Sequence, residues 1–288
     1  MTTLKLWFST IAATLANVGA LLVFAVIYAF LLLASYLFIS IREATVWQVL
    51  VTYALMILIP LSFFVLQASI IDRELDQKLR WRVILIDTLK FLAVTILVLL
   101  VVWLLYYLLN KVAARYPAPV PVVEPVQAGR AVHSKPPTPP ATPPLHWPTL
   151  IFSTLRFALL GVAFPLATIH LWIAVAGSRL RGLFGAGVKS FFKGIGSALA
   201  TAFSSSSVFI YGLGLIIFFV LPYVALVPTF AIKGNKTEFI ILGLRLLLAF
   251  VFSLIGWVVT LRALARAALM LPTEASAPVV TQPAEAAA

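Results

Sequence analysis

Five ionisable residues lie inside long apolar stretches of this sequence, and any chemistry within a membrane would depend on them: Asp87, Lys90, Arg156, His170 and Arg245. An ionisable side chain at the centre of a bilayer costs about 2.5 to 3.5 kcal/mol on insertion scales, so each one is a functional hypothesis. Asp87 and Lys90 are three residues apart and share a helix face, which allows an ion pair within the span. That spacing fits a proton or ion relay, and it also fits a pair near the interface that reaches toward water.

The other three residues give weaker indications of a pathway. Arg156 and His170 are fourteen residues apart, so they lie about 40° apart around a helix axis. A lone histidine in an apolar helix is more typical of a hydrogen bond between helices than of a ligand or proton carrier. Arg245 follows Glu238 by about two turns, and it either extends toward the interface or faces an interior carboxylate.

Four prolines inside apolar stretches are candidate helix breaks: Pro60, Pro165, Pro222 and Pro228. Proline lacks the backbone N–H, so it frees a carbonyl one turn earlier and can kink a helix or line a cavity. Two of the four fall in the fifth apolar stretch, after Gly212 and Gly214. The sequence therefore predicts that this stretch is the best candidate for a broken helix.

Residues 183–203 show a different pattern, with apolar side chains at steps of three and four and lysines opposite them. This pattern predicts an amphipathic helix in the membrane plane, with Lys189, Phe192 and Lys193 as candidate lipid-interface residues. Glycine weakens an isolated helix by roughly 1 kcal/mol relative to alanine, and this stretch is rich in glycine. We therefore expect lipid contact to fold it. The alternative is a connector that packs on the helix bundle.

The composition indicates that the segments carrying these residues lie in a membrane. Hydrophobic residues make up 62% of the 288 residues and charged residues 10%, with a mean hydropathy of +1.09. Soluble domains are about 45–50% apolar and about 25% charged, so the excess apolar surface requires lipid. The sequence predicts an all-α polytopic membrane protein and excludes a soluble enzyme. Cysteine is absent, which excludes disulfides, thiolate metal sites and cysteine nucleophiles.

Six stretches are long enough to cross a bilayer, which requires about 20 apolar residues. They form two halves of three spans each, residues 1–109 and 149–271, so any repeat between the halves would be inverted. The front end of the first stretch, residues 2–15, is expected to lie in the interface or to extend as a tilted helix; a cleaved signal peptide is the competing interpretation. The predicted spans are about 11–39, 46–71, 83–109, 150–176, 208–231 and 239–264.

Two segments lack the apolar pattern of the spans. Residues 110–148 hold eleven of the eighteen prolines, which predicts an extended or disordered proline-rich linker. This linker either joins the two halves or serves as a spacer or ligand for a protein partner outside the membrane. Residues 272–288 are rich in Ala, Pro, Thr and Glu without apolar periodicity, which predicts a disordered tail.

The net charge of +12 predicts an orientation. An even number of spans places both termini on one side, and that side holds eleven basic residues against seven opposite. The positive-inside rule then places both termini in the cytoplasm of a cell membrane and the linker outside. Basic loops of this kind give no indication of a nucleic-acid partner.

The connection between the second and third spans carries several charges. Glu74 with Lys78 and Asp76 with Arg80 are four residues apart, which predicts surface ion pairs on short helical extensions. A metal site at Asp72, Glu74 and Asp76 is the alternative for this connection.

The function that these patterns favour is a non-catalytic structural or assembly component of the membrane or envelope. No zinc-protease HExxH, GxSxG elbow, intramembrane acidic dyad or dinucleotide fingerprint is found, so we expect no enzyme, cofactor or metal. The alternative is a small transporter or channel whose pathway is lined by the intramembrane ionisable residues. The expected partners are the lipid bilayer and a protein that binds the proline-rich segment, and the sequence leaves the oligomeric state open.

Overall fold

The computed structural model describes residues 3–42, 44–76, 80–117, 146–176, 188–227 and 235–270. All regular secondary structure in these ranges is helical, and no strand occurs within them. Six helical segments are long and apolar enough to cross a membrane. The prediction of an all-α protein with six candidate spans is therefore confirmed. The proline-rich residues 118–145 and the tail 271–288 lie outside the described residues.

The six spans are formed by α2, α3, α4, the pair α5 and α6, the pair α8 and α9, and α10. In each of the two pairs a π-helical segment joins the members, Ala158–Ala163 in the first and Ile216–Val220 in the second. The helices are α1 (Thr3–Ala16), α2 (Val18–Ser40), α3 (Val46–Asp76), α4 (Trp81–Ala113), α5 (Trp147–Phe157), α6 (Phe164–Ala176), α7 (Val188–Ala202), α8 (Ser205–Leu215), α9 (Leu221–Leu226) and α10 (Asn235–Met270).

The first span begins at a helix start that Asn17 caps. Asn17 leaves the helical conformation (φ −100°, ψ 66°), and its side-chain oxygen accepts a hydrogen bond from the Ala20 amide at 3.3 Å. Asparagine is a preferred N-cap because its short side chain satisfies an amide at the helix start. The candidate spanning helix therefore begins at Val18, within the predicted stretch 11–39. The preceding residues form the separate helix α1.

The protein core lies toward one end of α3 and α10. Residues 66–72 of α3 and residues 258–265 of α10 are buried without interruption. The opposite ends of the same helices carry large exposed apolar side chains, including Trp47, Ile57 and Phe239. Exposed apolar surface of this extent on a spanning helix is suited to contact with lipid.

The contacts divide the chain into two compact units, residues 1–95 with 166–288, and residues 96–165. In the first unit, Trp172 of α6 joins α3 and α4. Its ring stacks on Phe91 at 5.5 Å and meets Phe64 edge-on at 5.9 Å, while Nε1 donates a hydrogen bond to Thr95 Oγ1 at 3.0 Å. Buried tryptophan contributes both a large contact area and a polar atom that needs a partner, and both are satisfied here.

Aromatic contacts also characterise the second unit. Trp103 and Tyr107 of α4 stack with ring centroids 6.0 Å apart, and Lys111 Nζ lies 5.2 Å from the centre of the Tyr107 ring. Tyr116 packs near Phe152 of α5, with centroids 6.0 Å apart. A lysine beside aromatic rings at the end of an apolar helix is typical of the membrane interface.

The three prolines within the described spans have different surroundings. Pro60 lies inside the continuous helix α3. Pro165 and Pro222 each follow a π-helical segment, and the N–H of the residue before each proline bonds to the carbonyl five positions earlier. A π turn of this kind relocates the carbonyl that proline cannot satisfy. The fifth span is helical over residues 205–226 and changes from α to π geometry at Ile216–Val220. Pro228 lies outside the described residues.

Glycines allow the fifth and sixth spans to approach closely. A Cβ atom at Gly256 of α10 would lie 2.7 Å from the Phe218 amide nitrogen, and one at Gly214 of α8 would lie 1.9 Å from Thr260 Oγ1. Small residues at such contacts let membrane helices pack backbone to backbone. The π-helical segment around Phe218 is therefore held directly against α10.

Replacing Gly256 with alanine is expected to destabilise the protein, because the obstacle is backbone that cannot rotate away. Overpacking of this kind costs about 1–3 kcal/mol. The matched control is Gly243→Ala in the same helix, where a Cβ would meet nothing within 4 Å. The free energy of unfolding, measured by titration into a denaturing detergent, should fall for the first variant and stay unchanged or rise slightly for the second. Equal values for the two variants would contradict the close contact.

Candidate functional site

A buried ion cluster joins the ends of α3 and α10. Arg262 Nε donates to Glu74 Oε2 at 2.7 Å, and Arg266 Nε donates to the other oxygen, Oε1. The side chains of Glu74 and Arg262 are 8% and 9% exposed, and that of Arg266 is 23% exposed. We call Glu74, Arg262 and Arg266 the ion cluster. It joins Glu74, which the sequence analysis placed in a charged connection, to two arginines that lie 188 and 192 positions later.

Two threonines of α1 accept further hydrogen bonds from the arginines of the ion cluster. Arg262 Nη1 donates to Thr14 Oγ1 at 2.9 Å, and Arg266 Nη1 donates to Thr10 Oγ1 at 3.3 Å. Each threonine hydroxyl in turn donates to a carbonyl one turn earlier in α1, at 2.7 Å for Thr14 and 2.8 Å for Thr10. Because both hydroxyls are acceptors for the guanidinium groups, α1 is fixed along the last turns of α10.

The ion cluster corrects the expected role of Glu74. The sequence predicted an exposed pair with Lys78, but the Glu74 carboxylate is buried and both of its oxygens accept from arginines. Lys78 lies outside the described residues. The two arginines therefore supply the counter-charge of this carboxylate, and no group of three or more metal-ligating side chains occurs among the described residues.

A second polar cluster surrounds His170 of α6, which is 2% exposed. His170 Nδ1 lies 3.0 Å from the Leu166 carbonyl oxygen, and Nε2 lies 3.1 Å from Ser207 Oγ of α8. The Ser207 hydroxyl also lies 2.8 Å from the Thr201 carbonyl oxygen and accepts from Ser204 Oγ at 3.0 Å. The prediction that His170 forms a hydrogen bond between helices matches this geometry.

The protonation of His170 decides which of these contacts carries a hydrogen. A neutral ring that donates from Nδ1 must accept at Nε2. The single hydrogen of the Ser207 hydroxyl is then donated to the ring, and the Thr201 carbonyl receives none from Ser207. A protonated ring donates from both nitrogens, and Ser207 then donates to Thr201. Ser207 is 1% exposed, so this serine and histidine are both enclosed by the protein.

The core also contains polar atoms without a protein partner among the described residues. Gln67 of α3 accepts a hydrogen bond from Trp257 Nε1 at 2.7 Å, but its own Nε2 has no partner. The hydroxyl of Thr88 in α4 is likewise buried without one. An unsatisfied buried donor costs about 1–3 kcal/mol, so bound water or a ligand is the usual partner of such atoms.

Among the predicted ionisable residues, the described contacts bring only Asp87 and Lys90 together. Lys90 Nζ lies 2.5 Å from Asp87 Oδ1; the carboxylate side chain is 2% exposed and the lysine side chain 44% exposed. Arg245 is partly exposed on α10. Arg156 belongs to the second unit, where its Nε is buried without a hydrogen-bond partner in the described part of the chain.

The candidate lipid-interface residues fall on α7. The predicted amphipathic segment 183–203 is helical over Val188–Ala202, and Lys193 is exposed. The backbone positions of Lys189 and Phe192 belong to this helix, while their side chains lie outside what the structure describes.

An apolar crevice of about 300 Å³ opens between α2 and α3. Its surface is almost entirely hydrocarbon, with one hydroxyl that already donates within its own helix, from Ser62 to the Leu58 carbonyl at 2.7 Å. The lining residues are Val26, Ile27, Phe30, Leu61, Ser62 and Val65.

No family model, curated protein or solved structure matches this chain. The interpretation of these sites therefore depends on their own geometry.

Replacing Glu74 with glutamine is expected to lower the free energy of unfolding by about 3–5 kcal/mol, because two partly buried guanidinium groups lose their counter-charge. The control is Glu238→Gln, which removes a carboxylate from the exposed start of α10. Both variants are compared by titration into a denaturing detergent. A loss at Glu74 no larger than that at Glu238 would mean that the ion cluster does not hold these helices together.

Proposed function

We propose that this protein is a non-catalytic integral membrane component with a structural or assembly role in the membrane or envelope. The observation that supports this proposal is that three ionisable groups of the core, Glu74, His170 and Asp87, are held by other groups of the protein. Glu74 uses both oxygens on arginines, His170 uses both ring nitrogens within the protein, and Asp87 is paired with Lys90.

Groups that are held in this way are suited to fixing helices rather than to processing a substrate. A general base or an ion-coordinating group must exchange its partner during turnover. Here, breaking each partnership would leave a charge or a polar group unsatisfied in a water-poor core, which is costly. The apolar crevice between α2 and α3 adds no polar groups that would favour an ion pathway.

A small transporter or channel is the second candidate, and a specific observation favours it. Gln67 Nε2 and Thr88 Oγ1 are buried polar atoms of the first unit without a partner among the described residues. A bound water or solute would satisfy them, and intramembrane polar groups often mark such pathways. This candidate predicts transport that depends on these two side chains as well as on Asp87 and His170.

The proposed location is a cell membrane, with both termini in the cytoplasm and the proline-rich segment outside. The excess of basic residues on the side of the termini supports this orientation. In the same arrangement, α7 lies in the cytoplasmic interface with Lys193 toward the lipid headgroups. The proline-rich segment is then available to a protein partner outside the membrane.

We expect the purified full-length chain, reconstituted in liposomes, to conduct no protons, common ions or organic solutes above the level of empty liposomes. The reason is that Glu74, His170 and Asp87 already have partners within the protein. Flux is recorded with pH-sensitive dyes and radiolabelled solutes. Flux that is abolished by Asp87→Asn, His170→Ala or Gln67→Leu, but unaffected by the exposed control Glu238→Gln, would reject the structural role and establish the transporter.

The orientation gives a separate expectation. A cysteine introduced at Ser134 should react with a membrane-impermeant maleimide from outside intact cells, because the proline-rich segment is proposed to be extracytoplasmic. A cysteine introduced at Ser9, an exposed position of α1, should react only after the membrane is permeabilised. The chain has no native cysteine, so neither variant has background labelling. The reverse labelling pattern would invert the proposed topology.

A further inference from the structure

The two arginines of the ion cluster have donors for which the described residues provide no partner. In each guanidinium, Nε donates a hydrogen bond to Glu74 and Nη1 donates one to a threonine of α1. Nη2 of Arg262 and of Arg266 makes no hydrogen bond to any described residue, and neither atom is among the buried atoms that lack a partner. The Arg266 side chain is 23% exposed and that of Arg262 only 9%, so Arg266 is the more accessible of the two.

The ion cluster also carries a surplus of positive charge. Two guanidinium groups face one carboxylate, which leaves a net charge of +1 for the three side chains. The adjacent Asp72 and Arg73 carry opposite charges and change this balance little, while Lys5 adds an exposed positive charge on α1. An arginine with free donors beside a net positive charge is suited to bind a phosphate.

The depth of the ion cluster follows from the two helices that form it. The residues from Val46 to Ile71 of α3 include no charged side chain, and those from Phe239 to Leu261 of α10 include only Arg245. Glu74 and Arg262 follow directly after these apolar stretches, and their contact places both stretch ends at one level. That level is where a helix leaves the hydrocarbon and meets the lipid headgroups.

Apolar side chains are exposed on the helices around the ion cluster. Leu4 and Phe8 of α1 are 49% and 61% exposed, and Leu269 at the end of α10 is 52% exposed. A surface that combines free arginine donors with exposed apolar side chains matches a lipid, which carries phosphate and hydrocarbon in one molecule, better than it matches a soluble phosphate.

We propose that Arg266, supported by Arg262, binds the phosphate of an anionic phospholipid, whose hydrocarbon chains lie against the exposed apolar residues of α1 and α10. This inference requires that the chain spans a membrane, but it is independent of whether the protein is structural or a transporter. Glu74 then has two tasks: it holds the arginines in place, and it limits their positive charge.

The test uses the full-length chain in detergent, with phosphatidylglycerol or phosphatidylcholine added, and native mass spectrometry to count bound lipid. The wild type should retain about tenfold more phosphatidylglycerol than phosphatidylcholine, the effect of a charge-assisted contact of about 1.4 kcal/mol. Arg266→Gln should abolish this preference. The control Arg115→Gln removes an exposed arginine just beyond α4 and should keep it. Equal binding of both lipids, or equal loss in the two variants, would overturn the proposal.

Two further measurements separate the lipid site from a purely structural cluster. Arg266→Lys keeps the charge and should retain part of the preference, whereas a structural effect of replacing Arg266 would treat Lys and Gln alike. Glu74→Gln increases the positive charge, so its folded fraction should bind phosphatidylglycerol at least as well as the wild type although the protein is less stable. Glycerol 3-phosphate should not compete with the lipid at millimolar concentration. Full competition would assign the site to a soluble phosphate and overturn the lipid assignment.

Discussion

The burial of the Glu74 carboxylate between Arg262 and Arg266 is the constraint on which the first compact unit depends. These residues lie 188 and 192 positions apart from Glu74 in the chain, so closing the cluster joins an early helix to the last one. Each guanidinium would be costly to leave partly buried without its counter-charge. The C-terminal turns of α3 and α10 are therefore held side by side, and Thr10 and Thr14 hold α1 against them.

The rest of this unit is organised along α10. One turn before Arg262, Val258 and Val259 are fully buried, and further back Gly256 brings the helix against the backbone of the fifth span. On the fifth span, Ser207 receives His170 from the fourth. Serine, threonine and histidine form such contacts between membrane helices because lipid offers them no alternative partner. Polar contacts thus join the helices at one end of this unit, and close contacts at small residues and between aromatic rings join them farther from that end.

The parts of this structure that the sequence predicted are those that depend on length and hydropathy. Six apolar stretches gave six spans because about 20 apolar residues have no stable place except lipid. Two polar contacts could also be expected from the sequence. Asp87 and Lys90 have the spacing of a pair on one helix face, and a buried His170 needs a partner because an unpaired polar group is costly. The break at Asn17 was missed because hydropathy does not register a side chain that caps a helix.

The ion cluster could not be predicted for a different physical reason. Spacing of four residues suggested a partner for Glu74 on its own helix, and sequence spacing carries no information about a partner 188 residues away. The signal that was present was the combination of Arg262 and Arg266, which share one face of a helix directly after an apolar stretch. Two arginines on a face that is otherwise Ala and Leu need a buried acid or a bound anion, and Glu74 supplies the first.

The π-helical segments before Pro165 and Pro222 have a consequence for how the spans tolerate insertions. A π turn holds one more residue than the α-helical turn that it replaces. In a regular helix one extra residue turns every later side chain by about 100° around the axis, which would move a lipid-facing row into the protein interior. Here the extra residue is absorbed within Ile216–Val220, beside the backbone contact with Gly256. The side chains of α9 therefore keep the facing that a regular helix one residue shorter would give them.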